Sequence, residues 1–381
     1  MDGQIPKPIR CKAAVCRAAG EPLTVEEIVV DPPKAYEIRI KIICASLCHS
    51  DITFWRGKLA TAFPRILGHE AYGCRVVESV GEQVEGFAAG DPVVPTFLGQ
   101  CDACPGCASE HNNVCTTAPF TYGPGMRRDG TTRFRDAQGK PVHDLVALSS
   151  FAEYTVVDVT QVVRIDPAVP PKLACLLSRT LNGVGAAWKA AKVEPGSSVV
   201  IFGLGSVGLA VTQGAKMCGA SMIIGVDLNP AKEEVGKSFG VTHFVNPSQL
   251  GKSSIAEEIG KLTGGGADYS FECIGVSSVM TYAFNCTKPG KGKTIILGLE
   301  KDNEPISLPP LDLLSGKCVM GSFFGGMKPK TDIPILAQKC MNGELELDGL
   351  VTHEVGLQEI NKAFELLLQG KSLRCIIWMD M

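Results

Sequence analysis

The hydrophobic pattern of the chain changes about halfway along its length. In the first half, short alternating or apolar runs such as 37–43 and 73–80 are separated by Gly/Pro turns, which predicts β-strands. From about Leu173 onward, apolar strand-like runs alternate with helix-compatible segments; these runs are 198–202, 222–226, 269–273 and 294–297. Such alternation predicts a parallel, doubly wound sheet. We therefore expect a compact, partly open β-barrel followed by an α/β unit.

The last part of the chain carries two further helical patterns after about Phe324 and ends in the strand-like run 374–378. These elements could extend the second domain or return to the first. A chain of 381 residues exceeds the size at which a single hydrophobic core stops growing, so two domains are expected.

Composition narrows the classes of partner. The formal net charge is -3 and no dense Lys/Arg run is present, so nothing indicates binding to nucleic acid or to an anionic membrane. Lys216 and several glycines interrupt the one long apolar region, 197–226, which argues against a membrane span. The N-terminus lacks the pattern of a secretory signal, so we expect a cytoplasmic protein whose 16 cysteines are reduced thiols.

A glycine-rich motif follows the predicted strand 198–202. Gly203, Gly205 and Gly208 form a G-x-G-x-x-G pattern that opens a helix running through Met217, the context in which this pattern binds a dinucleotide pyrophosphate. Asp227 ends the next strand, where a carboxylate accepts hydrogen bonds from a ribose and repels a 2′-phosphate. This favours NAD over NADP. A glycine-rich turn without a ligand is the alternative.

Four cysteines lie close together in one turn-rich segment: Cys101, Cys104, Cys107 and Cys115. Soft thiolates at this spacing suit tetrahedral Zn²⁺, and a closed shell of four sulfurs leaves no position for substrate. We therefore expect a structural zinc site. Unliganded cysteines and an iron–sulfur cluster are the alternatives.

Taken in order, these features resemble the zinc-containing medium-chain alcohol dehydrogenases. The resemblance rests on Cys48-His49-Ser50-Asp51, Gly68-His69-Glu70, the cysteine cluster, the run 150–158 and the glycine motif. In the runs 10–15 and 375–380 it is nearest to the plant alcohol dehydrogenase-like branch. It implies a GroES-like catalytic domain over 1–179, a Rossmann domain over 180–323 and a return to the catalytic domain over 324–381. It also implies a homodimer joined through the nucleotide-binding sheets.

The same resemblance implies roles for individual residues. Cys48 and His69 are the first two ligands of a catalytic zinc ion, and Ser50 takes the proton from the alcohol. Asp51 orients His69, and Glu70 is an alternate or outer-shell carboxylate. Three basic residues lie near the dinucleotide; these are His49, Lys232 and Arg374. The implied reaction transfers hydride between an alcohol and NAD⁺ and gives an aldehyde or ketone.

The sequence departs from the family where a third zinc ligand is expected. The stretch 175–183 is one residue short and has Ser178 or Arg179, depending on the alignment, in place of a cysteine. Neither is a good zinc ligand. Three interpretations follow: a weakened zinc site that recruits Glu70 and water, an empty site in which Arg179 supplies the positive charge, or a small sequence or gene-model change that abolishes dehydrogenase activity. Thr53 also replaces a histidine that passes the proton to solvent in many relatives.

The leading hypothesis is a zinc-type, NAD-dependent alcohol dehydrogenase acting on a small molecule. A lyase acting on carbonyl adducts such as cyanohydrins is one alternative, because a carbonyl pocket can be reused without net redox change. A catalytically impaired protein that binds zinc and NAD is the other.

Overall fold

The computed structural model describes residues 6–59, 62–73, 77–178, 181–299 and 304–381. They form two compact units. The first contains the described residues of Met1–Arg179, Lys328–Met341 and Asp348–Met381. The second contains those of Thr180–Met327 and Asn342–Leu347.

The N-terminal part of the first unit is built from short strands. They are β1 (Ile9–Cys16), β2 (Thr24–Val30), β3 (Glu37–Lys41), β4 (Cys44–Leu47), β5 (Arg65–Ile66), β6 (Ala71–Tyr72), β7 (Val77–Val80), β8 (Val93–Pro95), β9 (Phe134–Asp136), β10 (Pro141–Val142), β11 (Tyr154–Asp158) and β12 (Val162–Arg164). The helices between them are α1 (His49–Trp55), α2 (Pro105–Ala108) and α3 (Pro171–Leu177).

Antiparallel pairing joins most of these strands into three sheets. The sheet orders are β10-β9-β2-β1-β5, β11-β3-β7 and β12-β8. A bridge between Ala13 and Ala152 and another between Gly73 and Val93 link neighbouring sheets. The predicted partly open barrel is confirmed.

The predicted strand 37–43 is interrupted because the chain changes partners within it. β3 pairs with β11 and β7 and ends at Lys41, whereas Ile43 donates its N–H to the carbonyl of Tyr72 in β6. Of the predicted run 73–80, the structure shows β7, and residues 74–76 lie outside the described residues.

The second unit contains a parallel sheet of order β15-β14-β13-β16-β17-β18. The strands are β13 (Ser198–Phe202), β14 (Met222–Val226), β15 (His243–Val245), β16 (Tyr269–Glu272), β17 (Lys293–Ile296) and β18 (Cys318–Gly321). The helices are α4 (Leu181–Gly185), α5 (Ser206–Met217), α6 (Lys232–Phe239), α7 (Ile255–Thr263), α8 (Ser277–Asn285) and α9 (Pro310–Leu314). The order reverses between β13 and β16, as in the predicted doubly wound sheet, which is confirmed.

The C-terminal segment returns to the first unit. It contains α10 (Pro329–Met341), β19 (Val351–Gly356), α11 (Ile360–Leu368) and β20 (Arg374–Trp378), and the strands complete a sheet of order β19-β20-β4-β6. The second unit extends to Met327 and includes residues 342–347, beyond the boundary drawn at Phe323 from the sequence. The turn at Gly325 explains this, because a Cβ there would lie 2.7 Å from the carbonyl oxygen of Asn182 in α4.

None of the helices in the described residues combines the length and the apolar character needed to cross a membrane.

Candidate metal centres and dinucleotide-binding loop

The first turn of α1 carries several of the predicted site residues. Cys48 is the N-cap, and the Asp51 carboxylate accepts a hydrogen bond from the Cys48 backbone N–H at 3.0 Å. This capping interaction fixes the direction of the buried Cys48 side chain at the start of the helix. Ser50 Oγ lies 3.8 Å from Cys48 Sγ, so the hydroxyl is beside the thiol.

His69 and Glu70 lie between β5 and β6, and Asp51 connects this segment to α1. Oδ1 of Asp51 accepts a hydrogen bond from the Gly68 N–H at 3.1 Å and lies 2.9 Å from His69 Nδ1. Burial lowers the pKa of His69, but Asp51 and Cys48 outweigh burial and raise that pKa to about 10. A metal ion at Nε2 must therefore displace a proton, as is general for histidine ligands.

The ligand atoms of Cys48, His69 and Glu70 form a compact group. They lie within 4.8 Å of one another, and all three residues are buried. Nε2 of His69 is buried and faces the other two ligands, with Glu70 Oε1 at 3.9 Å. Thiolate, imidazole and carboxylate are the donor types that zinc accepts, and three protein ligands leave one position open. This group therefore fits a zinc ion.

Sheet register explains why residues so distant in sequence meet here. β20 pairs antiparallel with β4, with Cys375 opposite Leu47, so Arg374 lies near Cys48 at the same end of the sheet. β6 flanks β4 on its other side, and Ser46 donates its N–H to the carbonyl of Glu70. Neighbouring strands therefore deliver the thiol, the carboxylate and a guanidinium to one place.

Arg374 is paired with Glu70 in the interior of the first unit. Its Nη2 lies 3.3 Å from Glu70 Oε1, and both side chains are at most 2% exposed. Burial lowers the pKa of Arg374, but Glu70, Cys48 and Asp51 outweigh it and raise that pKa above its usual value. A buried carboxylate needs such a partner to remain ionised. Arg374 is expected near the dinucleotide from the sequence; within its own unit its neighbours are Glu70, Cys48 and Asp51.

Ser178 is one of the two residues at the expected third ligand position, and its side chain forms hydrogen bonds to two backbone groups. It is the C-cap of α3 and fully buried. Its Oγ donates a hydrogen bond to the carbonyl of Cys175 at 2.6 Å and accepts one from the Ala71 N–H at 3.2 Å. The hydroxyl thereby links α3 to β6. Arg179, the other residue considered, lies outside the described residues.

The remaining predicted polar residues of α1 lie along the helix. His49 is exposed at its first position, and its carbonyl accepts a hydrogen bond from Thr53 Oγ1 at 3.2 Å. Thr53 is buried, and its hydroxyl supports the helix backbone.

The four clustered cysteines surround a common point. Their sulfur atoms lie within 4.8 Å of one another, with 4.0 Å between Cys101 and Cys107 and 3.9 Å between Cys104 and Cys115. Zn–S bonds of about 2.3 Å in a regular tetrahedron place the sulfurs about 3.8 Å apart. The arrangement therefore fits a structural zinc ion.

Hydrogen bonds prepare one of these four sulfurs, that of Cys104, for a cation. Backbone N–H groups of Cys107 and Thr116 donate to Cys104 Sγ at 3.4 and 3.3 Å. The Thr116 side chain and these amides lower the pKa of Cys104 to about 4, against the opposing effect of burial. A thiolate rather than a thiol is the form that binds metal.

The glycine motif forms the turn between β13 and α5. Gly203 has a φ of +88° and donates its N–H to the carbonyl of Val226 at 2.8 Å. A Cβ on Gly208 would lie 1.9 Å from the carbonyl oxygen of Gly203, so helix and strand pack too closely for any other residue. A Cβ on Gly205 would meet no atom within 4 Å among the described residues. The open side of the turn fits a pyrophosphate at the N-terminus of α5.

Asp227 directly follows β14 and is bonded to the glycine turn. Its Oδ2 accepts a hydrogen bond from the Leu204 N–H at 2.8 Å, and its Oδ1 accepts one from the Asn229 N–H at 2.9 Å. Lys232 is the first residue of α6, in the same loop region. The carboxylate is therefore fixed beside the turn, in a position that fits a ribose ligand.

One supporting loop has no signature in the sequence. Val146, Ala147 and Ser149 adopt the left-handed conformation, which non-glycine residues rarely occupy. The loop leads to Ser150, whose Oγ donates a hydrogen bond to the carbonyl of Glu70 at 3.0 Å. Ser150 lies in a run that carries the family resemblance, but its contact with the Glu70 backbone depends on loop geometry.

Comparison with known proteins agrees with this arrangement. The family described as "Alcohol dehydrogenase GroES-like domain" matches residues 34–167, and the family described as "Zinc-binding dehydrogenase" matches residues 206–340. The chain therefore belongs to the zinc-containing medium-chain alcohol dehydrogenase family.

Individual relatives cover nearly the whole chain. Alcohol dehydrogenase-like 2 and alcohol dehydrogenase-like 7 of Arabidopsis thaliana are 58% and 56% identical over 98% of this chain, and the matches cover 97% and 96% of those proteins. An alcohol dehydrogenase zinc-binding domain protein from Burkholderia ambifaria has a similar structure, with a TM-score of 0.90 and 32% identity over 98% of this chain and 100% of the other. Benzyl alcohol dehydrogenase from Acinetobacter calcoaceticus has a TM-score of 0.86 and 29% identity over 97% and 99%.

Proposed function

We propose that this protein is an NAD-dependent oxidoreductase that transfers hydride between an alcohol and NAD⁺, giving an aldehyde or ketone. The observation that carries the proposal is the buried cluster of the Cys48 thiol, His69 Nε2 and the Glu70 carboxylate, whose ligand atoms lie within 4.8 Å of one another. Burying such polar groups together is costly unless a bound ligand such as a cation compensates for their lost hydration.

Cys48, His69 and Glu70 would hold a zinc ion, which supplies Lewis acidity at the fourth position when bound. Asp51 orients His69 through its Nδ1, and Ser50 accepts the proton of the alcohol beside the Cys48 thiol. These assignments rest on family membership together with the geometry of the buried cluster.

The dinucleotide would bind in the second unit. The glycine turn leaves its backbone open for the pyrophosphate, and Asp227 accepts hydrogen bonds from the adenosine ribose. Because the carboxylate would repel a 2′-phosphate, NAD is the preferred form. The bound nicotinamide supplies the hydride acceptor for the reaction.

A catalytically impaired protein that binds zinc and NAD is the second candidate. The hydrogen bonds of Ser178 favour it, because this hydroxyl already serves two backbone groups and no cysteine stands at the third ligand position. The cluster would then bind zinc more weakly than a site with two cysteines and a histidine.

Metal content and NADH absorbance separate the candidates. We expect clearly less than two zinc ions per chain after mild chelation, with the four-cysteine ion retained. Two tightly held ions would contradict the weakened site. A change in NADH absorbance during alcohol oxidation supports the oxidoreductase, whereas cyanohydrin cleavage without that change would indicate a lyase. NADH binding without turnover on a broad panel would indicate the impaired protein.

We also propose that the protein is a homodimer joined along the edge of the parallel sheet. β18 is the terminal strand of that sheet, and the preceding helix α9 exposes 77% of Leu311 and 82% of Leu314. Exposed apolar side chains next to a sheet edge are typical of a strand-pairing interface. Light scattering on the purified protein tests this: a monomeric mass at micromolar concentration would contradict it.

A further inference from the structure

A carboxylate that the proposed chemistry does not use is buried at the carboxyl end of the parallel sheet. Glu272 is the last residue of β16, which lies between β13 and β17, and its side chain is fully buried. Burial raises the pKa of Glu272, and backbone N–H groups oppose that shift. Burying an ionisable group costs free energy unless other groups compensate for its lost hydration, so the contacts of Glu272 indicate its role.

The carboxylate of Glu272 organises the turn that follows its own strand. Oε1 accepts hydrogen bonds from the N–H groups of Ile274 and Gly275, both at 2.8 Å. The backbone carbonyl of Glu272 accepts two more, from Leu297 at 2.9 Å and Gly298 at 3.0 Å, in the turn after β17. The Glu272 carboxylate therefore fixes the 274–275 turn, and the main chain of the same residue holds the turn after β17.

These turns are also locked to the glycine motif by close contacts. A Cβ on Gly203 would lie 2.6 Å from Ile274 Cγ1, and one on Gly275 would lie 2.5 Å from the carbonyl oxygen of Leu299. A Cβ on Gly298 would lie 2.0 Å from the Gly275 nitrogen. Displacing the 274–275 turn therefore affects the turns after both β13 and β17.

Sheet order indicates which half of a dinucleotide these turns face. Asp227 follows β14, on one side of β13, and marks the adenosine end. The glycine turn after β13 marks the pyrophosphate. Ligands of doubly wound sheets lie across the carboxyl ends of the strands at the switch point. The second nucleotide must therefore lie over the ends of β16 and β17, where Glu272 fixes the backbone.

We infer that Glu272 is a positioning residue for the nicotinamide half of the dinucleotide. It acts through the backbone of the 274–275 and 297–298 turns and does not contact the ligand itself. The inference rests on the proposed NAD-binding function, and it predicts that losing the carboxylate weakens binding of the whole dinucleotide but spares binding of its adenosine half.

The test compares NADH and AMP binding to the full chain and to Glu272→Gln. The glutamine oxygen can still accept from Ile274 and Gly275, but the negative charge that strengthens these hydrogen bonds is gone. Because a charged acceptor binds an N–H group more strongly than a neutral one, we expect the Kd for NADH, measured by fluorescence, to rise about tenfold. The Kd for AMP, measured by competition, should change less than about twofold.

Asp268→Asn is the matched control. Asp268 directly precedes the first residue of β16, at the end opposite Glu272. Its carboxylate accepts hydrogen bonds from the Ser198 N–H at 2.9 Å and from Lys288 Nζ at 3.1 Å. Its replacement should lower the thermal unfolding temperature while the ratio of the two Kd values stays that of the wild type. A purely structural role for Glu272 would give this same pattern.

The outcomes separate the inference from the proposed function. Wild-type protein that does not bind NADH would overturn both. Wild-type protein that binds NADH, combined with equal changes or no change for the two ligands in Glu272→Gln, would overturn the inference alone. If Glu272→Gln does not fold, Glu272→Asp keeps the charge and withdraws it by one methylene. Glu272→Asp should also lose affinity for NADH selectively. An unchanged ratio of the Kd for NADH to the Kd for AMP would overturn the inference.

Discussion

Asp51 is the residue whose removal tests the candidate catalytic site most directly. Its fully buried carboxylate accepts from the N–H groups of Cys48 and Gly68 and bonds to His69 Nδ1. It thus joins the N-cap thiol to the imidazole. We predict that Asp51→Asn weakens zinc binding at the Cys48–His69–Glu70 cluster and leaves the four-cysteine site unchanged.

The size of the expected effect on stability follows from the geometry of the three hydrogen bonds that Asp51 accepts. An asparagine oxygen placed where Oδ1 lies can still accept from Gly68 and His69, but its NH₂ group then meets the N–H of Cys48. The opposite orientation loses two bonds instead of one. One unsatisfied buried N–H costs about 1–3 kcal/mol in the free energy of unfolding. Changes to a residue that orients a metal ligand reduce metal affinity by about 10–100-fold.

The assay is zinc release to a chromogenic chelator, read together with urea unfolding of the metal-loaded chain. We expect two phases of release from the wild type, and only the faster phase should accelerate in Asp51→Asn. Asp31→Asn is the matched control, because Asp31 accepts from Arg135 at 2.9 Å on the surface of the same unit. An exposed ion pair of this kind contributes about 0–1 kcal/mol.

Two results would refute this reasoning. If Asp51→Asn released both zinc ions at wild-type rates while losing stability, the carboxylate would be structural only. If the slower phase changed as well, the effect would have spread through the unit and would say nothing specific about His69.

Two further predictions concern the departures and motifs identified in the sequence. Ser178→Cys should raise the zinc content towards two ions per chain, because it adds a thiolate at the third ligand position. Ser270→Cys, at a buried serine of the second unit, should leave the zinc content unchanged. Metal analysis after chelation checks this prediction, and equal zinc content in the two variants would contradict it. Asp227→Ala should reduce the ratio of NAD affinity to NADP affinity by about tenfold, because the carboxylate no longer repels a 2′-phosphate. If binding titrations gave an unchanged ratio, Asp227 would not be the residue that discriminates between NAD and NADP.

Much of the second unit could be predicted because its signals are local. Continuous apolar runs predicted β13 and β14 with their observed bounds, and the helix through Met217 ends there in the structure. Buried parallel strands and the helices between them leave strong periodic patterns. The glycine pattern and Asp227 likewise act through residues close in sequence.

The first unit was less predictable because its strands are short and exchange partners. The run 37–43 looks like one strand, yet the chain leaves one sheet after Lys41 and joins another at Cys44. The run itself does not reveal this change, because the charged residues Glu37 and Arg39 of β3 are buried together with Ile38 and Ile40.

The candidate site could likewise be predicted only in part from the sequence. Cys48, His69 and Glu70 could be proposed from motifs, but the pairing of Glu70 with Arg374 depends on β20 lying beside β4. That pairing bears on the proposal that Glu70 is recruited as a zinc ligand. The buried guanidinium of Arg374 lies 3.3 Å from Glu70 Oε1 and stabilises a negative charge on that carboxylate. A zinc ion recruited there must compete with Arg374 for the same carboxylate, and for that reason the cluster should bind metal more weakly than the four-cysteine loop.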